Sequence, residues 1–245
     1  MVDIMNYSEL QLAAKKVAEN ECLINWSNHS NDYTYSQFTI LVNNLRHWLG
    51  PTAARLDLGC EILKKTQSNE NELNQNISKI IEAFEMNIAE EKGLDDGQPH
   101  AYLFIKSVNS YSQVLYDKTP VYGKGIDSTM KLKEESEKLF NSDLYIMLGA
   151  ALAQEIHALP QLELLVKGAE KNKELFSDEK WLDVSNFYDI HLDGTEARHA
   201  EDLNRTIWSI IDTDAKKEKF MIGFNKFLEL LDNFWSSLYL EVKNA

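Results

Sequence analysis

Residues 144–160 read LYIMLGAALAQEIHALP. The run is apolar at nearly every position. Gly149, Ala150, Ala151 and Ala153 leave room for another helix, or a ligand, close to the backbone. One carboxylate, Glu155, interrupts it. A lone carboxylate in apolar surroundings is costly unless it is paired or bound to a metal. A salt bridge to an Arg or Lys of another helix is the plain alternative. His157, two residues on, faces elsewhere on a helix and reads as a capped or surface histidine. The apolar stretch runs from about 143 to 167, with Pro160 able to bend or break it.

The same helical periodicity recurs on both sides of this run. Towards the N-terminus it covers about 8–19, 35–49, 52–66, 72–91 and 99–116. Ser8 with Gln11 has the capping-box pattern, and Gly50-Pro51 is a strong stop. Leu73, Ile77, Ile80, Ile81, Phe84 and Ile88 make one apolar face. KGLDDGQPH, residues 92–100, is a turn, and Pro99 suits the first turn of the helix after it. Residues 117–126 read as a loop and 128–140 as a charged helix. Beyond the central run come about 178–211, a helix broken at most once, and about 214–242. The last has a face of Phe220, Ile222, Phe224, Phe227, Leu230, Leu231, Phe234 and Leu238. No segment alternates as a strand does, and no linker divides the chain. The expected fold class is all-α: one domain over 1–245, a bundle of about seven to nine helices.

Bulk composition agrees. Only 10 Gly and 4 Pro occur in 245 residues, and 44% are hydrophobic, enough for a large core. Lys plus Arg number 25 and Asp plus Glu 39, a net charge of −14. Such a chain repels phosphate backbones and anionic membranes, so neither nucleic acid nor membrane is an expected partner. No stretch approaches a membrane span, and MVDIMNYSELQ does not read as a signal peptide. Cys22 and Cys60 lie in no CxxC and read as reduced thiols of a cytoplasmic protein.

Imidazoles and further carboxylates gather in two other segments. FYDIHLDGTEARHAEDL, residues 187–203, holds His191, Glu196 and His199 within nine positions. At about 100° per residue, Glu196 and His199 are neighbours, whereas Glu196 lies about 140° from His191. One extra residue in the turn, an i→i+5 bulge eased by Gly194, would bring them onto one face. Asp202, about 20° from His191, is a rival ligand or supporting partner. Asp189 and Asp193 point away, towards solvent. Residues 80–104 offer Glu82, Glu85, Glu90, Glu91 and His100, among which spacing does not choose. Imidazole with carboxylate is the ligand set of non-haem iron, zinc or manganese. A polar helix face with ordinary histidines is the plain alternative.

At these residues the chain resembles the haem-oxygenase-like di-iron oxidases. More narrowly it resembles the CADD-like family, named for a chlamydial protein associating with death domains. That pattern is an Asn-Leu-x-x-Glu segment with a His downstream, then a Glu in a small-residue helix leading to a Pro. An aromatic-rich helix follows with His, an acid, and His three residues on. Here it matches Asn87-Ile88-Ala89-Glu90-Glu91 with His100, Gln154-Glu155 with Pro160, and Phe187 to His191 with Glu196 and His199. The eight residues between Glu91 and His100 exceed the usual six or so. The His191–Glu196 gap is one residue longer than in HxxxDxxH.

The resemblance implies a haem-oxygenase-like bundle whose site is carried by about 85–205. It selects Glu91 over Glu90 and implies a metal set of Glu91, His100, Glu155, His191, Glu196 and His199. It further implies two non-haem iron ions, O₂ and a small organic molecule as substrates, and a possible homodimer. Relatives oxidise amines, cleave C–C bonds, decarboxylate fatty acids or modify one of their own tyrosines; Tyr33, Tyr35, Tyr188 and Lys167 are the residues available here. The rival tenants of the fold fit less well. Haem oxygenases use a His near the N-terminus, and here His29, in NWSNHSND, reads as loop. Thiaminase-like bundles use a Cys nucleophile, and neither thiol here has a suitable neighbour. Metal-free bundles like pyrroloquinoline quinone synthase are the main enzyme rival, and a non-catalytic binding protein is the third reading.

Overall fold

The computed structural model describes residues 7–67, 71–94 and 97–245. Its elements are helices, in the order α1 (Tyr7–Ala18), α2 (Glu21–His29), α3 (Tyr35–Leu49), α4 (Thr52–Thr66), α5 (Asn71–Glu91), α6 (His100–Tyr116), α7 (Asp127–Phe140), α8 (Leu144–Glu170), α9 (Asp178–Leu192), α10 (Thr195–Ile207) and α11 (Asp214–Lys243). Short 3₁₀ turns at Ser30–Asp32 and Lys173–Leu175 complete the order. The all-α class stands. Eleven segments appear among the described residues, where the periodicity separates fewer, for two local reasons. Residues 21–29 form a helix of their own, capped by the Asn20 side chain accepting from the Cys22 N–H at 3.0 Å. His29 therefore closes α2 and is not loop. The stretch 178–211 breaks at Asp193-Gly194.

The Gly50-Pro51 stop acts as read, ending α3 at Leu49, while other end signals differ. Thr34 and Gln37 cap α3 reciprocally, a pairing the sequence reading missed. Pro99 sits at the cap of α6 with extended ψ of 134°, one position before the expected first turn. Ser8 lies inside α1 and does not cap it. The turn residues Asp95 and Asp96, and residues 68–70 of the polar stretch before α5, lie outside the described residues.

α8 is the axis of the bundle. Nearly every residue from Met147 to His157 is buried, because α1, α2, α4, α7, α9, α10 and α11 all pack on it. The small residues allow this. A Cβ on Gly149 would lie 1.9 Å from the Phe220 carbonyl oxygen, and one on Gly223 would lie 1.9 Å from that of Ile146. α8 and α11 thus cross backbone to backbone. Phe220, Phe224, Phe227, Leu231, Phe234 and Leu238 of α11 are buried as expected, but Ile222 is half exposed, on the opposite side of the helix. On α5, Ile77, Ile80, Ile81, Phe84 and Ile88 enter the core. Pro160 is accommodated within α8 without ending it. Among the described residues, no helix is long and apolar enough to cross a membrane.

Candidate metal centre

α5, α6, α8, α9 and α10 deliver six donors to the interior. Glu91, His100 and His191 form one group and Glu155, Glu196 and His199 a second; within each, the donor atoms lie within 4.8 Å of one another. The groups abut where His191 Nε2 stands 3.9 Å from Glu196 Oε1. All six of the residues singled out by sequence meet here. All are buried except Glu91, which is partly so. Either group can hold a metal ion.

The break in the third segment makes the convergence possible. α9 ends at Leu192, Gly194 takes φ of 107°, and α10 starts at Thr195. The extra residue is absorbed by this turn and not by a bulge in a continuous helix; a left-handed φ there is free of strain only for Gly. Asp193, expected to be merely solvated, accepts from the Thr195 N–H at 3.0 Å and its hydroxyl at 2.7 Å, steadying the start of α10. Those bonds hold its carboxyl below the usual range.

Supporting groups fix the direction of the donors. His191 Nδ1 donates to the Phe187 carbonyl at 2.5 Å, since a carbonyl can only accept. His199 Nε2 lies 2.6 Å from Glu90 Oε2. The inner nitrogens point at acids: His191 Nε2 at Glu196, and His199 Nδ1 at Glu155 Oε2, each at 3.9 Å. The His191 ring, donating from Nδ1, turns its other lone pair towards Glu196, an acceptor-to-acceptor contact that a proton or a cation relieves. An outer acceptor that sets the imidazole's tautomer is the usual support of a metal-bound His. The adjacent acids differ in place: Glu91 lies in a donor group, while Glu90 contacts His199 and pairs with Arg198 at 3.4 Å.

Glu155 Oε2 accepts from Asn87 Nδ2 at 2.9 Å and Oε1 from Gln154 Nε2 at 3.2 Å. Among the described residues no Lys or Arg lies within 4 Å of Glu155, so the salt-bridge alternative does not hold. The nearest cation in the bonding chain is Arg55 of α4, fully buried. It donates from Nε to Gln154 Oε1 at 2.7 Å, lies 4.4 Å from the Trp48 ring and reaches Glu155 only through Gln154. Burial pulls its pKa down to about 10. Arg55 was not anticipated, although it shares the buried face of α4 with Gly59 and Leu63.

Burial also raises the Glu155 pKa. It raises Glu196 further, with the charges of Glu155, Glu91 and Glu90 adding to it. Burial lowers His191, so it is neutral and ligand-ready. A cation bound among these groups would pull both carboxyls back down. Three carboxylates, three imidazoles, few internal donors and inward imidazole nitrogens fit hard or borderline divalent ions.

Other candidates are not gathered in. Asp202 pairs with Arg205. Glu85 pairs with Lys64 at 2.7 Å, and Glu82 is exposed. His157 is fully buried against Trp235, and not a surface residue. Cys22 and Cys60 are buried free thiols, with burial pushing them up to about 12 and about 11. Neither lines the central cavity.

That cavity, of about 50 Å³, is lined by the donors Glu91, His100, Glu155, His191 and Glu196 and by Thr52, Asn87, Gln154 and Gln161. Trp48, Leu49, Phe104, Leu162 and Phe187 form its apolar wall.

This bundle with buried acid–imidazole groups has the haem-oxygenase-like fold. A CADD-like protein of unknown function from Nostoc punctiforme PCC 73102 superimposes with a TM-score of 0.74 at 18% identity, over 97% of this chain and 99% of that one. A domain of unknown function with a heme oxygenase-like fold from Shewanella denitrificans OS217 gives 0.70 at 13%, over 98% and 95%. A TenA homologue from Pseudomonas syringae pv. tomato gives 0.71 at 13%, over 97% of each chain. Comparison with curated proteins finds no match. The model of a domain of unknown function, DUF3865, matches residues 61–241, and the chain belongs to that family.

Proposed function

We propose that the chain is a non-haem di-iron oxidase that uses O₂ to oxidise a small organic substrate, with one ion at each donor group. The observation behind this is the convergence of imidazole nitrogens on buried carboxylates, His191 Nε2 on Glu196 and His199 Nδ1 on Glu155, each at 3.9 Å. Iron bound there would supply the redox chemistry and the site for O₂.

The chain's own residues do the rest. Asn87 and Gln154 orient the Glu155 carboxylate, and the Phe187 carbonyl and Glu90 orient the two rings. Glu196, its carboxyl raised by burial and by neighbouring acids, would be drawn to its ionised form by a cation held in its group. The wall of Trp48, Phe104, Leu162 and Phe187 keeps water from the reacting centre and packs the apolar part of a substrate. A cavity of about 50 Å³ suits a compact molecule or the end of a larger one. Neither thiol reaches this cavity, which favours metal chemistry over a cysteine nucleophile.

The test is anaerobic loading with Fe(II) followed by exposure to O₂. About two equivalents should bind, and O₂ should then be consumed. Glu155→Ala should do neither while keeping its helicity. No binding by the unaltered protein, or O₂ uptake indifferent to Glu155→Ala, would refute the reading.

A further inference from the structure

Glu155 and Glu196 are shared by two cavities. Besides the central one they floor a cleft of about 280 Å³ between α1, α8 and α10. The two sides of this floor differ in chemistry. Beyond the donors, the central cavity is lined by aromatic and aliphatic side chains and by neutral Thr52, Asn87, Gln154 and Gln161, with no further charged group. The cleft adds carboxylates of its own. Glu163 and Glu201 stand on its walls with one cation, Lys15, which pairs outward with Glu19 at 3.7 Å. Pro160 has no N–H, so the Ile156 carbonyl lacks its helical partner, and both residues line the cleft. Glu196 is 6% exposed and receives no hydrogen bond from any described residue. Ala197, exposed on α10, lines the cleft with only a methyl group.

We infer that this cleft is the route by which divalent cations reach the donor groups, passed from the wall carboxylates to Glu155 and Glu196. The inference rests on the metal-binding reading above and concerns uptake, not the reaction. An acidic mouth raises the local cation concentration and the association rate, and salt screens that effect. Exchange of water for carboxylate oxygen along the wall spares the ion an abrupt dehydration.

Stopped-flow absorbance with Co(II) on the full chain measures uptake without turnover. Ala197→Trp, at an exposed position, should slow association roughly 10-fold while leaving the number of ions bound unchanged. Glu163→Lys with Glu201→Lys should slow it similarly and weaken its salt dependence. Ala101→Trp, on the other side of the central cavity, should leave the rate alone. Unchanged rates in the first two variants overturn the inference, as does slowing by Ala101→Trp alone. Absence of Co(II) uptake by the unaltered protein is a different result and overturns the metal reading itself.

Discussion

Two buried polar groups sit two residues apart on α8, facing opposite sides. Glu155 is 4% exposed and His157 0%. Desolvation acts on both in the same sense, favouring the neutral form. It raises the Glu155 carboxyl and pulls His157 down to about 3. Their surroundings are opposite. Glu155 is held by Asn87 and Gln154 and faces Glu196 and His199. Neither ring nitrogen of His157 has a partner among the described residues; the ring stacks on Trp235, whose Nε1 also has none. Burial of a titratable group is therefore no sign of a site. What distinguishes the Glu155 side is convergence, together with outer acceptors that aim each imidazole.

The largest effect should come from Glu155→Ala, which removes a donor from one group and a wall of the central cavity. Calorimetry with Co(II) should detect no binding, whereas His157→Leu should bind as the unaltered protein does. Loss of binding in the histidine variant would erase the contrast between the two sides.

Next comes Glu90→Ala. It contributes no donor atom but frees the His199 ring, and affinity should fall roughly 10- to 100-fold at unchanged stoichiometry. An unaltered Kd would mean that His199 is aimed by packing alone.

The pH dependence of the metal-free protein follows in size. The folded-state pKa of Glu196 lies above its ordinary value of 4.5. Above that value the unfolded chain has lost a proton that the native state retains, so this group's contribution to stability falls as pH rises. Glu196→Gln carries no such proton. Its Tm advantage should be absent near pH 4.5 and widen as the pH rises above it. A gap that narrows would show Glu196 ionised in the empty site.

The smallest effect belongs to the dry side. His157→Leu removes two unpaired nitrogens and should raise stability by about 1 kcal/mol in urea denaturation. A loss of similar size would mean that the ring's packing on Trp235 outweighs its unmet polarity.

Much of this was legible in the residues. The α8 run with its small residues predicts a buried helix crossed closely by another. The apolar faces of α5 and α11 are read correctly except at Ile222. The six donors were named from segments 91–100, 155 and 191–199, largely through a family resemblance; periodicity alone left Glu90, Glu91 and Asp202 open. Three features were hidden. Helix α2 is marked mainly by its Asn20 cap, in a stretch whose Asn and Ser residues resemble loop. Gly194 could have signalled a bulge or a break, and only the capping by Asp193 decides. The Arg55–Gln154–Glu155 chain depends on which helix lies beside α8, information that one helix's periodicity does not contain. A basic residue on the buried face of α4 was the available clue.

The most direct test of the central claim is anomalous diffraction at the iron edge from crystals loaded anaerobically with Fe(II). Two peaks should appear, one among Glu91, His100 and His191 and the other among Glu155, Glu196 and His199. A map without density at either group, with Glu155 instead turned to Arg55, would contradict it.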